Sequence, residues 1–460
     1  MDEDRKAPEN GASRGSVESP YPSAAVAWYA IAMLGLINAL DSIDRGILSL
    51  LIQPIKRDLG LSDTEIGLLS GIAFSGVYAL VGLPLSRLAD TRNRKLILSF
   101  GITLWSTATA LGSLAQNFWH LFLSRAGTGA GESLKGPNAL SMISDLVPRE
   151  KLARAMSLYS MGIVGGMAFS LIAGGMLLGH FEGRDIAGPL GTNFRDWQIV
   201  LLLVGAPGIV VALTFLLTVK EPVRRGRRSA EKPPALEVLR FIWANFRFFG
   251  FFLCGVALLQ IELTGLLHWR IPFYERTYGW GPATAGPLMG TISLVTTPVG
   301  LAIGAWLGER MARRGDPGAM LRLSLIGLTS ALPFAIVQPL MPTPQLAMAC
   351  SAVSLLCSSI ASPGYVAAIQ VVTPNEFRGQ VNAIYLFMIS VVGSAIAPLA
   401  VSLITDYVFA DETMLRYSMV TIAIVFGTTG LAMKYLSLRP YCVMVSRIME
   451  EERLAGEVHR

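Results

Sequence analysis

The sequence predicts an all-α integral membrane protein, with twelve transmembrane helices in two six-helix bundles. Three observations lead there. Of the 460 residues, 52% are hydrophobic and only 15% are charged, where ordinary soluble domains carry about 25% charged residues. The charges fall in short clusters between apolar runs, and about 20 apolar residues suffice to cross the hydrocarbon of a bilayer. The two halves of the chain also echo each other, as two bundles related by an axis along the membrane normal would.

The polar segment 1–23 fits neither a signal peptide nor a span and is expected to be a cytoplasmic tail. Six apolar runs follow, at about 24–52, 62–86, 95–115, 118–146, 152–180 and 197–219, giving a first bundle over 24–219. Ser62 and Glu65 have the spacing of a capping box that opens the second run. The stretch 220–246 reads as a cytoplasmic linker. Its Arg224, Arg225, Arg227 and Arg228 precede Pro233 and Pro234, and the mixed apolar and basic residues beyond suit an interfacial helix. Six more runs, at about 247–274, 280–308, 318–340, 344–371, 379–408 and 414–436, give a second bundle over 247–438. The rest, 439–460, is a more polar cytoplasmic tail with a short surface helix.

Orientation follows from the basic residues. With the amino terminus inside, 28 of the 38 Lys and Arg residues fall in inside segments, 7 outside and 3 within spans. This bias puts both termini in the cytoplasm, with the chain in a cell (inner or plasma) membrane. In this count Lys56, Arg57, Arg270 and Arg276 are outer-loop charges, and Lys434 opens the inner tail. The net charge of +6 borders the spans, so membrane lipids and not nucleic acid are the expected contacts. The four cysteines have no metal spacing and suggest no disulfide framework. No nucleophile elbow, phosphate-binding loop or paired metal ligands stand in the sequence, so neither an enzyme nor a cofactor is expected. A monomer is expected.

A few charges are stranded in the apolar runs. Asp41, Asp44 and Arg45 fall on one face of the first helix. A charge at mid-membrane costs on the order of 3 kcal/mol, so such groups need partners and usually have a role. Two acids flank one base, which leaves one acid incompletely neutralised: either a fixed ion pair or a proton-binding site. In the fourth run Arg125 and Glu132 share a face, with Lys135 just beyond. Glu132 is either a second proton site or a fixed partner of Arg125 or Lys135. Arg125 is either its counter-ion or an anchor for an anionic headgroup. Glu262 is the one acid well inside a span of the second half, a satisfied interhelical group or a substrate contact. His268 is expected near the outer interface, solvated. Otherwise the second half lacks membrane charge. Charge in one bundle and an apolar wall in the other suit an amphipathic substrate.

The repeat is carried by two loops. Asp90, Arg92 and Arg94 after the second run answer Glu309, Arg310 and Arg313 after the eighth, and Pro148 to Arg154 answers Pro374 to Arg378. Here the chain resembles the major facilitator superfamily over nearly its whole length. The loop 82–95 is the most specific mark. Arg125-x-Gly127-x-Gly129-x-Gly131 is similar to a second family motif, and Gly162, Gly166, Gly174 and Gly175 to a third, weaker one. Asp44-Arg45 together with Gly131-Glu132-Ser133 resembles the spinster branch. Asp44-Arg45-x-x-x-Ser49 is also similar to anion:cation symporters.

The resemblance implies alternating access by rocking bundles, with first and fourth helices lining a central cavity. It implies that Asp44 is the better proton site, with Asp41 sharing or relaying the proton and Glu132 second. Arg45, Arg125 and Lys135 would be charge partners or headgroup contacts. Asp90, Arg92, Arg94, Glu309 and Arg313 would form a cytoplasmic gate. The spinster branch implies a lysophospholipid or sphingoid-phosphate substrate. With proton-binding carboxylates beside the cavity, proton antiport is expected, with substrate out and proton in. A small organic anion or drug transporter, and a passive lipid facilitator or membrane sensor, are the alternatives.

Overall fold

A computed structural model describes residues 21–184, 186–187, 193–225 and 234–458. Apart from a two-residue antiparallel ladder, Ile186–Ala187 with Asn193–Phe194, its regular elements are helical. Among the described residues ten helices are long and apolar enough to cross a membrane. Two further helical stretches pack among them. Arg94–Gly112 is one. The other is broken: Phe118–Glu132 ends in a turn at Ser133 and Leu134, and Lys135–Leu146 restarts. The expected continuous fourth run is thus interrupted at the charges it was expected to carry.

Local chemistry sets the helix ends. The first helix, Ala24–Leu59, stops at Gly60, whose φ of 65° only glycine adopts at no cost. Ser62 and Glu65 form the expected capping box. Asn93, Asn117 and Thr343 each accept a backbone N–H at the start of a helix. Among the described residues the long helices contain four π-helical stretches, and two of them, Leu69–Gly76 and Met388–Ala395, pack against one another across the halves. Such turns are common at functional sites. The stretch 220–246 holds a helix at Ala235–Ala244, and the last helix runs unbroken over Thr428–Val458. The expected surface helix of the tail is therefore the end of the final long helix, held by the buried Tyr441 and Val445.

The two halves meet along small residues. A Cβ on Gly286 would sit 2.7 Å from the Leu171 carbonyl oxygen, so only glycine lets Pro282–Arg313 approach Arg149–Phe181 this closely. Among the described residues, every ion pair between the halves lies at one end, here called the sealed end. Asp63, fully buried, accepts from Lys56 at 2.6 Å and from both terminal nitrogens of Arg276 at 2.5 and 2.7 Å. Lys56 also reaches Glu412 at 2.6 Å, Arg57 pairs with Glu275, and Thr64 donates to Asp406. Lys56 and Arg276 are thus not loop charges. The helices run past the apolar stretch and fold these side chains inward.

Lys434 is a second correction. Placed by sequence in the inner tail, it is fully buried, with no hydrogen-bond partner at Nζ. Its ammonium lies 3.8 Å from the Tyr365 ring centroid and 5.1 Å from that of Phe252. A cation–π contact of this kind contributes about 2 kcal/mol when desolvated, less than the several kcal/mol that burying an ion costs. Lys434→Met, which keeps the bulk and drops the charge, should therefore raise the melting temperature in detergent. A fall would mean that the ammonium has a partner worth more than its burial costs.

Candidate functional site

The sequence-predicted charges come together. The first helix lies against Arg149–Phe181 on one side and presents Asp41, Asp44 and Arg45 to the broken helix. Gly131 lets the broken helix pack closely on Arg94–Gly112, since a Cβ there would meet the Trp105 nitrogen at 2.6 Å. Arg125 donates to Asp44 from both terminal nitrogens, at 3.2 Å each, and Thr109 donates to the other carboxylate oxygen. Lys135 pairs with Asp41 at 2.6 Å and also donates to Asn38 at 2.7 Å. Arg45 bonds Glu132 through two nitrogens, at 2.8 and 2.9 Å, and Asp41 more loosely at 3.4 Å.

The partners differ from those expected. Asp44 pairs with Arg125 and not with its neighbour Arg45. Lys135 serves Asp41 and not Glu132. Three acids face three bases, so the cluster is balanced, but it is unevenly bonded. Both oxygens of Asp44 are satisfied. Glu132, with no exposure at all, keeps one oxygen (Oε1) without a partner. Its other oxygen shares Arg45 with the Asp41 carboxylate. Two acids held by one guanidinium are a place where a single proton can be shared. The incompletely satisfied acid is thus Glu132, and the break at Ser133 and Leu134 is what turns it and Lys135 toward the first helix together.

Because Asp44 and Arg125 are buried and bonded, removing one partner should be expensive. Asp44→Ala leaves an uncompensated guanidinium and should lower stability by roughly 3–5 kcal/mol. Asp44→Ala with Arg125→Leu should recover most of that loss. A double variant as unstable as the single one would show that the pair is not what holds Arg125. Denaturation of the purified protein in detergent provides the measurement.

A cavity of about 190 Å³ lies between the halves beside this cluster. Arg45 faces it with 37% of its side chain exposed, resting on the Phe74 ring, and Arg125 reaches its wall. The second half contributes His268, Arg270, Leu267, Ile271 and Met289. This overturns two expectations. His268 belongs to the cavity wall and not to the outer interface. Arg270, counted as an outer-loop charge, is 8% exposed within Phe246–Tyr278. The second half is not an apolar wall. Glu262 lines two smaller cavities of about 20 and 50 Å³ and not the central one.

The gate residues are dispersed. The Asp90 side chain lies outside the described residues. Arg94 is buried within the first half, bonded to Asp145 at 2.5 Å, Glu221 at 2.8 Å and the Pro222 carbonyl. The Arg92 carbonyl accepts from Arg224. Glu309 and Arg313 pair with each other on one exposed helix face at 3.1 Å. The sequence reading missed Arg270 and the sealed-end set of Asp63, Arg276, Asp406 and Glu412. Their positions at the ends of long helices were the signal available.

Comparison with known proteins gives the family. An MFS-type efflux pump of Mycolicibacterium smegmatis is 29% identical over 389 residues, covering 84% of this chain and 86% of that one. Human protein spinster homolog 1 is 26% identical over 346 residues, which is 71% of this chain and 62% of that protein. A crystal structure of a bacterial homologue of the human lysosomal transporter spinster, inward-facing and occupied, superposes with a TM-score of 0.77. It shares 25% identity and covers 91% of this chain and 98% of that one. The family model for the Major Facilitator Superfamily matches residues 34–398. The chain is therefore a membrane transporter that resembles spinster, not an enzyme, and it belongs to the Major Facilitator Superfamily.

Proposed function

We propose that this chain is a proton-coupled secondary transporter of an amphipathic lipid of the lysophospholipid or sphingoid-phosphate type, working by alternating access and proton antiport. One observation carries the reading: the buried Asp41 and Glu132, with the cavity-facing Arg45 between them and one carboxylate oxygen unpartnered, abut a cavity between two halves whose ion pairs, among the described residues, all lie at one end. Twelve spanning helices follow if Arg94–Gly112 and the broken Phe118–Leu146 stretch also cross. Both termini are then cytoplasmic, the sealed end faces out, and the cavity is served from inside. The protein acts as a monomer in the cell membrane.

The mechanism rests on exchange of partners. A proton shared by Glu132 and Asp41 removes one of the two acids that hold Arg45, and loss of the proton restores both. Arg45 lines the cavity, so the two protonation states favour different openings of the two halves. The cavity then carries the proton across in one direction and the ligand in the other, without Arg45 binding the ligand.

The wild-type protein in liposomes, with a pH gradient imposed, tests the substrate class. Labelled lysolipid should move against protons, and labelled small anions should not. The cavity's several guanidiniums and the efflux-pump relative favour a second reading, a small organic anion or drug substrate; gradient-driven movement of those compounds alone would establish it. Lysolipid flux indifferent to the gradient would mark a passive facilitator.

A further inference from the structure

We infer that Arg270 is the anchor for an oxyanion on the substrate, a phosphate monoester or a carboxylate, and that Arg45 and Arg125 are not. The inference rests on the transport reading above and narrows its substrate class. The argument is one of charge. Arg125 is committed to Asp44, Lys135 to Asp41, and Arg45 to Glu132 and Asp41. Each cation of the first half has its acid.

Arg270 has none. Among the described residues no carboxylate forms an ion pair with it. Its one polar contact is Nη1 to the Met289 sulfur at 4.0 Å, and its Nε has no partner. Glu262, two turns back on the same helix, lies near enough to act on it electrostatically but forms no ion pair or hydrogen bond with it, and the two line a side cavity of about 20 Å³. The guanidinium nevertheless lies in the central cavity wall and is more than nine-tenths buried. Beside it His268 offers an Nε2 that also lacks a partner.

A buried guanidinium keeps five donors, and leaving them unmet is costly. An anion that presents two oxygens side by side, a phosphate or a carboxylate, meets them with paired hydrogen bonds. A zwitterionic headgroup brings its own cation into the same small space. The site therefore selects a net negative ligand, with the apolar Leu267, Ile271 and Leu171 beside it for a chain.

Equilibrium binding to purified full-length protein tests this, using oleoyl lysophosphatidic acid, oleoyl lysophosphatidylcholine and a six-carbon sugar acid. Wild-type protein should bind at least one of the two anions, and bind lysophosphatidic acid better than lysophosphatidylcholine. Arg270→Gln should weaken the bound anion by about tenfold or more, the range for a hydrogen bond to a charged group. Arg270→Lys should restore part of it. Lysophosphatidylcholine should change little, which a merely structural role would not allow. Gel-filtration profiles and melting curves identify a variant that has failed to fold, and Arg270→Lys then decides. Sugar acid bound by wild type and lost in Arg270→Gln, without lysolipid binding, would uphold the anchor and sink the lipid reading. No anion bound, or equal anion affinity in wild type and Arg270→Gln, overturns the inference.

Discussion

Glu132→Gln should abolish accumulation driven by the proton gradient while sparing exchange of substrate for substrate. One proton moving through 100 mV supplies about 2.3 kcal/mol, which sustains a concentration ratio of roughly fiftyfold. Glutamine keeps the shape and can still accept from Arg45, but it cannot carry the proton assigned to Glu132 and Asp41, the two acids that hold Arg45. The steady-state ratio in liposomes should then collapse toward one, with counterflow retained. Asp41→Asn should behave similarly, because it removes the other half of the pair. Asp44→Asn should differ: its carboxylate is held by Arg125 and Thr109 on both oxygens, so the first loss should be stability. Normal gradient-driven accumulation by both Glu132→Gln and Asp41→Asn would end the proposed mechanism.

Asp63→Asn should open the sealed end. Asp63 is the one acid placed between Lys56 and Arg276, and it joins the two halves. Without its charge two buried cations face each other, with only the exposed Glu412 left to Lys56. Breaking a buried pair costs roughly 3–5 kcal/mol, and that cost falls only on the state in which this end is closed. The closed-to-open ratio should therefore drop by about a hundredfold or more. Electron resonance distances between labels on Arg184 and Thr413, both exposed at this end, should lengthen. Unchanged distances would mean that glycine packing, as at Gly286 against Leu171, holds the end shut by itself.

Much of this was open to a reader of the sequence. Asp41, Asp44, Arg45, Arg125, Glu132 and Lys135 stand out because charge inside an apolar run is rare whatever the fold. Their pairing was not legible. Asp44 and Arg45 are adjacent in the chain, yet they take different partners, since neighbouring residues on a helix point about 100° apart. The break at Ser133 and Leu134 was hidden as well, for no proline marks it.

Hydropathy was enough to mark an all-helical membrane protein, because that property adds up along the chain. Which cation meets which acid was decided only by the packed helices. The helix Phe246–Tyr278 has 33 residues and so extends about 50 Å, beyond the roughly 30 Å of hydrocarbon. Along such a helix the sequence does not say where the membrane ends, or whether Arg270 points to water or to the cavity. The axial and rotational setting of each helix against its neighbours decides that, and it depends on side chains hundreds of residues away.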